Sequence, residues 1–236
     1  MISRHGMALA CGAAWLGASA PICADELNGY VTVASDYVFR GVSQSNEDPT
    51  VQAGLDFLHD SGVFAGIFVA HIDYPANPFR PDPGDLEIDA YLGYNHAAGR
   101  DWAWDVALLH YDFPESDGFD YSYQELAANL HYRDRLRVGA TVSDDVRGSD
   151  STGWTSEIEL RHPLGERFQL SGSIGRYEFE RTDWQDYAYW DFGVSVAFDP
   201  PVTVDLRYFD TSEEAETFAG RSLTGSRVVA SVSVGF

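Results

Sequence analysis

"RVVASVSVGF", residues 227–236, is the stretch whose reading decides the fold. Val228, Ala230, Val232, Val234 and Phe236 fall on one face of an extended segment, and Val229, Ser231, Ser233 and Gly235 on the other. Terminal residues fray unless a strand ties them into a sheet, so this alternation marks an ordered last strand. An apolar face that ends on an aromatic suits a strand meeting lipid at an interface.

Eleven further segments share the period of two, near residues 30–40, 50–58, 63–72, 86–95, 102–111, 123–132, 136–143, 154–161, 168–177, 189–198 and 202–209. Their connections alternate in length. "HDSG", "NHAAGRD", "YRDR", "HPLGER" and "FDPP" are short, whereas "GVSQSNEDP", "DYPANPFRPDPGD", "DFPESDGFD", "DDVRGSDST", "EFERTDWQD" and "DTSEEAETFAGRSLTG" are long. An outer-membrane barrel sorts its loops this way, with short periplasmic turns, long external loops and an even number of strands. The pattern therefore predicts an all-β protein: a single antiparallel transmembrane β-barrel of twelve strands.

Strand parity separates a lipid face from a lumen face. Leu86, Ile88, Ala90, Leu92 and Tyr94 alternate with Glu87, Asp89, Tyr91, Gly93 and Asn95; Val202, Val204, Leu206 and Tyr208 alternate with Thr203, Asp205, Arg207 and Phe209. Trp102, Phe168, Phe198 and Phe236 would form one interfacial girdle, near the short turns. Phe39, Trp154 and Tyr208 would form the other. Segment 63–72 has no polar side, and its pattern leaves its facing open.

Arg4, His5 and the small, apolar run from Met7 to Ala20 precede "PICADE", which reads as a secretory signal peptide over residues 1–24, followed by the barrel over 25–236. Cys11 and Cys23 both fall in the leader, so disulfides, thiolate catalysis and cysteine-bound metals are not expected of the remainder, and no cofactor is assigned. The chain carries 37 Asp and Glu against 15 basic residues, all of them arginine, for a net charge of −22. Repulsion of phosphates disfavours a nucleic-acid partner. The compartment that fits is the outer membrane of a Gram-negative bacterium.

Ten carboxylates have inward parity: Asp36, Asp56, Glu87, Asp89, Asp105, Glu125, Glu157, Glu159, Asp191 and Asp205. Arg40, Arg137, Arg161, Arg207 and Arg227 share that interior. An acidic lumen concentrates cations and repels anions, which points to a narrow, cation-preferring passive channel for small hydrophilic solutes. The competing arrangement is a packed interior in which arginines clamp carboxylates and no water path exists. Twelve strands lie between the roughly 8 whose interior fills with side chains and the roughly 16 that leave a channel, so size alone does not separate the two. A plugged barrel of this kind would be structural or surface-interacting, its acidic loops bridging lipopolysaccharide through divalent ions.

Glu87 with Asp89, and Glu157 with Glu159, are same-face pairs, more often an acidic wall than a metal site, and no metal is assigned. "HID" at 71–73 and "HYD" at 110–112 place His71 and His110 beside carboxylates at a loop rim, the minimum for an outer-membrane hydrolase, but no serine elbow accompanies them. "PDPGD" at 81–85 lacks the spaced ligands of a calcium loop and reads as a rigid loop.

The blocks "YVTVASDYVFRGVSQS", "SGVFAGIFVAHID", "LEIDAYLGY", "YDFP" and "RYFDTS" resemble the TorF-like porin family, also described as the Gcw_chp conserved proteobacterial proteins. The resemblance covers nearly all of residues 25–236 and implies an outer-membrane barrel, with transport by association. Phe68, Val69, Ala70 and His71 depart from the family's pattern, which has Trp and a Ser-Asn pair there. The expected partners are outer-membrane lipid and lipopolysaccharide, small solutes or cations, and the outer-membrane insertion machinery. Val228, Ala230, Val232, Val234 and Phe236 resemble the terminal signal which that machinery reads.

Phe236→Asp should leave synthesis and export intact but lower the amount of heat-modifiable barrel in the outer membrane. An unchanged amount on a gel refutes the signal.

Overall fold

The computed structural model describes residues 25–75, 82–116, 118–198 and 201–236. The expected leader, residues 1–24, lies outside them, as does Pro81 of the "PDPGD" loop. The strands are β1 (Glu26–Ala34), β2 (Val38–Phe39), β3 (Val42–Ser43), β4 (Thr50–Leu58), β5 (Val63–His71), β6 (Leu86–Ala98), β7 (Trp102–Asp112), β8 (Tyr123–Tyr132), β9 (Leu136–Ser143), β10 (Gly153–Leu164), β11 (Phe168–Phe179), β12 (Tyr187–Phe198), β13 (Val202–Thr211) and β14 (Arg227–Gly235). One short helix, α1 (Ala215–Ala219), lies between β13 and β14.

Twelve strands, β1 and β4 to β14, close into an antiparallel barrel in chain order. Closure is made by β1, which pairs with β4 on one side and with β14 on the other. The last strand is therefore tied in, as its alternation requires. The main chain of Phe236 continues the seam, its N–H donating to Gly29 O at 2.8 Å and its carbonyl accepting from Gly29 N at 2.9 Å. A closed barrel leaves no sheet edge unpaired, the condition for crossing lipid.

The outward parity forms an apolar band, with Leu92, Leu108, Leu126, Ile158, Phe192 and Leu206 among its exposed members. Trp102, Phe168, Phe198 and Phe236 lie exposed near the short turns, and Trp154 is exposed toward the long connections, as the girdle pattern predicts. The open case, β5, resolves as well. Phe64, Gly66, Phe68 and Ala70 point inward, and Val63, Ile67 and His71 point out. β5 lacks a polar side because the interior facing it is aromatic: Phe64 and Phe68 pack against Tyr91 and Tyr37.

One sequence expectation fails. Residues 30–40 are not one strand. The barrel strand ends at Ala34, and residues 36–45 turn inward as the hairpin β2–β3. Phe39 consequently belongs to no girdle; its ring lies inside the barrel, 6.1 Å from that of Tyr111. "GVSQSNEDP", read as an external loop, is in its first half an interior segment, with Val42, Ser43, Gln44 and Ser45 all buried.

Leu206→Arg, on the lipid face of β13, should lower folding stability in bilayers by about 2–4 kcal/mol, as charge near the midplane does. Asp205→Asn, which leaves Arg207 paired with Asp191, should cost far less. Chemical denaturation of the refolded barrel measures both, and equal costs refute the assigned facing.

Candidate functional site in the barrel lumen

The inward hairpin organises the interior. Asp36 builds its base, accepting from the Ser43 hydroxyl at 2.6 Å, the Ser45 hydroxyl at 3.0 Å and the Arg227 guanidinium at 3.1 Å. At its tip, Arg40 and Gly41 both take positive φ, 50° and 77°. Positive φ at both central residues is the two-residue turn whose twist suits a hairpin. Gly41 adopts it freely, whereas a non-glycine residue there carries strain. Arg40 is held there by its partners. Its two terminal nitrogens donate to the two carboxylate oxygens of Glu125, both at 2.7 Å, and one also donates to the Thr141 hydroxyl at 3.2 Å. The guanidinium lies over the rings of Phe39 and Tyr177, and Tyr187 donates to the Arg40 carbonyl. The tip therefore spans the lumen from β1 to β8, β9, β11 and β12.

Three other connections close over the hairpin. Arg147, in a short 3-10 turn at Val146–Gly148, donates to Gln44 at 2.7 Å and to the Tyr74 hydroxyl at 3.1 Å, and Tyr74 itself donates to Gln44. Burial pushes the Tyr74 hydroxyl up to about 12, so it stays a donor at physiological pH. From α1, Phe218 joins Tyr177, Phe179, Trp184 and Tyr187 in an aromatic cluster. Just beyond α1, the Leu223 carbonyl accepts from Ser43 N at 2.8 Å.

Beneath the tip, toward the short turns, lies a partly open cavity of about 130 Å³. Arg40 and Gly41 roof it, and Arg137, Glu157, Glu159, Arg161, Asp191 and Arg207 line it. Its charges are paired. Arg137 bonds Glu157 and approaches Glu159 at 3.4 Å, Arg161 reaches Glu159 at 2.6 Å, and Arg207 bonds Asp191 and approaches Asp205 at 3.3 Å. On the adjacent wall, Asp105 accepts from Asn129 at 2.9 Å and meets His131 at 2.5 Å.

Glycines make two of these contacts possible. Asp56, Gly66 and Tyr91 stand in one row across three strands, and the Tyr91 hydroxyl crosses Gly66 to reach Asp56. Glu157, Gly175 and Tyr189 form a second row of the same kind. A Cβ at either glycine would meet the tyrosine ring.

All ten inward carboxylates and all five arginines predicted from parity thus lie in the interior, but Asp36 and Arg40 belong to the hairpin rather than to the wall. Parity missed the hairpin's other contributors, Tyr37, Val42, Ser43 and Gln44, together with Tyr74, Arg147 and Phe218. His71 and His110 face outward from β5 and β7, away from the lumen, and Asp112 accepts from the Ser122 hydroxyl at 3.0 Å.

The sequence model for the family described as "Bacterial protein of unknown function (Gcw_chp)" matches residues 17–236. The chain belongs to this family. No curated protein matches it in sequence. Among solved structures, it is similar in fold to the NanC porin at 10% identity, covering 89% of this chain and 99% of that one with a TM-score of 0.58. The KdgM porin follows at 7% identity, 89% and 98% coverage and a TM-score of 0.52. An outer membrane channel from Pseudomonas putida F1 matches at 11% identity, 91% and 96% coverage and a TM-score of 0.53. At these identities the likeness is one of fold: this Gcw_chp chain shares a closed barrel with outer-membrane channels.

Loss of the tip clamp should free the hairpin. Both native cysteines, Cys11 and Cys23, precede residue 25, so a Val42→Cys thiol would be the only one in residues 25–236. Its labelling by a polar maleimide should be slow alone and at least tenfold faster combined with Arg40→Ala, which removes a buried ion pair. Equal rates would show that the clamp does not hold the hairpin.

Proposed function

We propose that this protein is an outer-membrane channel of a Gram-negative bacterium that passes small hydrophilic solutes, with the β2–β3 hairpin as its constriction and a preference for cations. The observation that carries this reading is a closed barrel with an apolar exterior and a charged interior holding a partly open cavity below the hairpin tip. Asp36, Asp56, Glu87, Asp89, Asp105, Glu125, Glu157, Glu159, Asp191 and Asp205 outnumber Arg40, Arg137, Arg161, Arg207 and Arg227 two to one in that interior. The excess repels anions and retains cations along a narrow path, where field lines are focused. Lipid contacts fall on the outward band, and lipopolysaccharide on the acidic external loops.

A second reading is favoured by one specific arrangement. Three connections close over the hairpin through Tyr74, Arg147 and Phe218, the first two bonded to its Gln44, which suits a plugged, surface-interacting barrel.

Planar-bilayer recording separates the two. The parent should show small unitary currents with a reversal potential of cation-selective sign in a salt gradient. Replacing residues 36–45 by a short Gly-Ser linker should raise conductance several-fold. Lowering the pH toward about 4, where ordinary carboxylates take up protons, should weaken the selectivity. A parent that inserts and never conducts, beside a linker variant that does, establishes the plug.

A further inference from the structure

Eight of the ten interior carboxylates have partners that account for their charge or their hydrogen bonds. Glu87 and Asp89, on β6, differ. Glu87 Oε2 and Asp89 Oδ1 are buried and accept no hydrogen bond among the described residues. The five interior arginines are committed to Glu125, Glu157, Glu159, Asp191, Asp205 and Asp36. Among the described residues, Arg147 acts on Glu87 but gives its hydrogen bonds to Gln44 and Tyr74. Two neighbouring carboxyl groups with unpartnered oxygens and no cation hydrogen-bonded to them are costly to bury as anions, a cost that a positively charged occupant would offset.

Their surroundings define its chemistry. In the barrel register Asp89 stands between Phe68 of β5 and Tyr111 of β7, with Tyr123 of β8 next in the row. The rings of Tyr111 and Tyr123 stack at 4.4 Å. Ala70, small and fully buried, stands beside Glu87. From the hairpin, Tyr37 sets its ring edge-on to Phe68 at 5.9 Å. Carboxyl groups with aromatic neighbours suit an organic ammonium ion, because a ring attracts a cation where little water is left to solvate it. A divalent metal fits poorly here, since calcium takes about six to eight oxygen ligands and ring faces supply none.

We propose that Glu87 and Asp89, with the rings of Phe68 and Tyr111, form a lumenal binding site for an organic ammonium ion, capped by Tyr37 of the hairpin. The ion enters as Tyr37 swings aside, and its charge replaces the missing counter-charge of the two carboxylates. The site deepens the cation-preferring channel reading by naming a solute class, but binding here requires only the inward facing of β6 and not conduction.

The test is isothermal titration of the refolded protein in detergent micelles with tetramethylammonium chloride, at constant ionic strength in sodium chloride. The parent should give one saturable site. The double change Glu87→Gln with Asp89→Asn should weaken it at least tenfold, and Phe68→Leu, which alters no charge, about threefold or more. Tyr37→Ala should tighten it, because the ion no longer competes with the native cap. Heat-modified migration on a gel reports that each variant is folded. Absence of saturable binding, undiminished binding in the double variant, or displacement by calcium chloride as readily as by tetramethylammonium overturns the site. A protein that conducts but does not bind refutes the site alone, and one that binds but never conducts refutes the channel alone.

Discussion

The ion pair of Arg40 with Glu125 is the contact on which the interior depends. Both side chains are nearly inaccessible, 9% and 1% exposed, so neither charge is solvated by bulk water. A bidentate guanidinium–carboxylate pair is among the stronger charge-assisted contacts, and removing one partner of a buried pair costs about 3–5 kcal/mol. That scale exceeds the strain of about 1–3 kcal/mol expected for a non-glycine residue held at an unfavourable φ. The clamp can therefore hold Arg40 in a left-handed turn in mid-lumen. Through the turn it fixes where the hairpin crosses the barrel, and so which part of the lumen is filled and which is left as a cavity.

The remaining interior follows from the need to satisfy charge inside a narrow barrel. The lower wall does so with arginines on β9, β10 and β13, each among carboxylates. The wall of β4 to β8 does so with aromatic hydroxyls and rings reaching over small residues, as Tyr91 does over Gly66. The result is an asymmetric lumen, ionic on one side and aromatic on the other. Glu87 and Asp89 stand on the aromatic side, where among the described residues no arginine is hydrogen-bonded to them.

Most of the architecture was legible in the sequence because a barrel strand in lipid alternates strictly, and all twelve barrel strands correspond to segments with that period. The facing of β5 was not legible, since Phe64 and Phe68 turn an apolar set toward an interior that elsewhere is polar. The hairpin was misread for a related reason. "DYVFRG" continues the alternation of β1, and a hairpin inside a barrel has the same period of two as a strand of its wall. The separating information is local and weak: Arg40-Gly41 as a two-residue turn, and Asp36 spaced to meet Ser43 and Ser45. The partners of Arg40, from Glu125 to Tyr187, are distant in sequence, and only the closed barrel brings them to one point. Parity found the interior charges but carried no information on which of them pair.

The most direct test of this account is a double-mutant cycle on Arg40→Ala and Glu125→Ala, read as the unfolding free energy of the barrel in lipid vesicles. If the clamp holds the hairpin in the lumen, the two changes should couple by about 2 kcal/mol or more, toward the upper end for residues in direct contact. A coupling within about 0.5 kcal/mol of zero, as for independent sites, would contradict it.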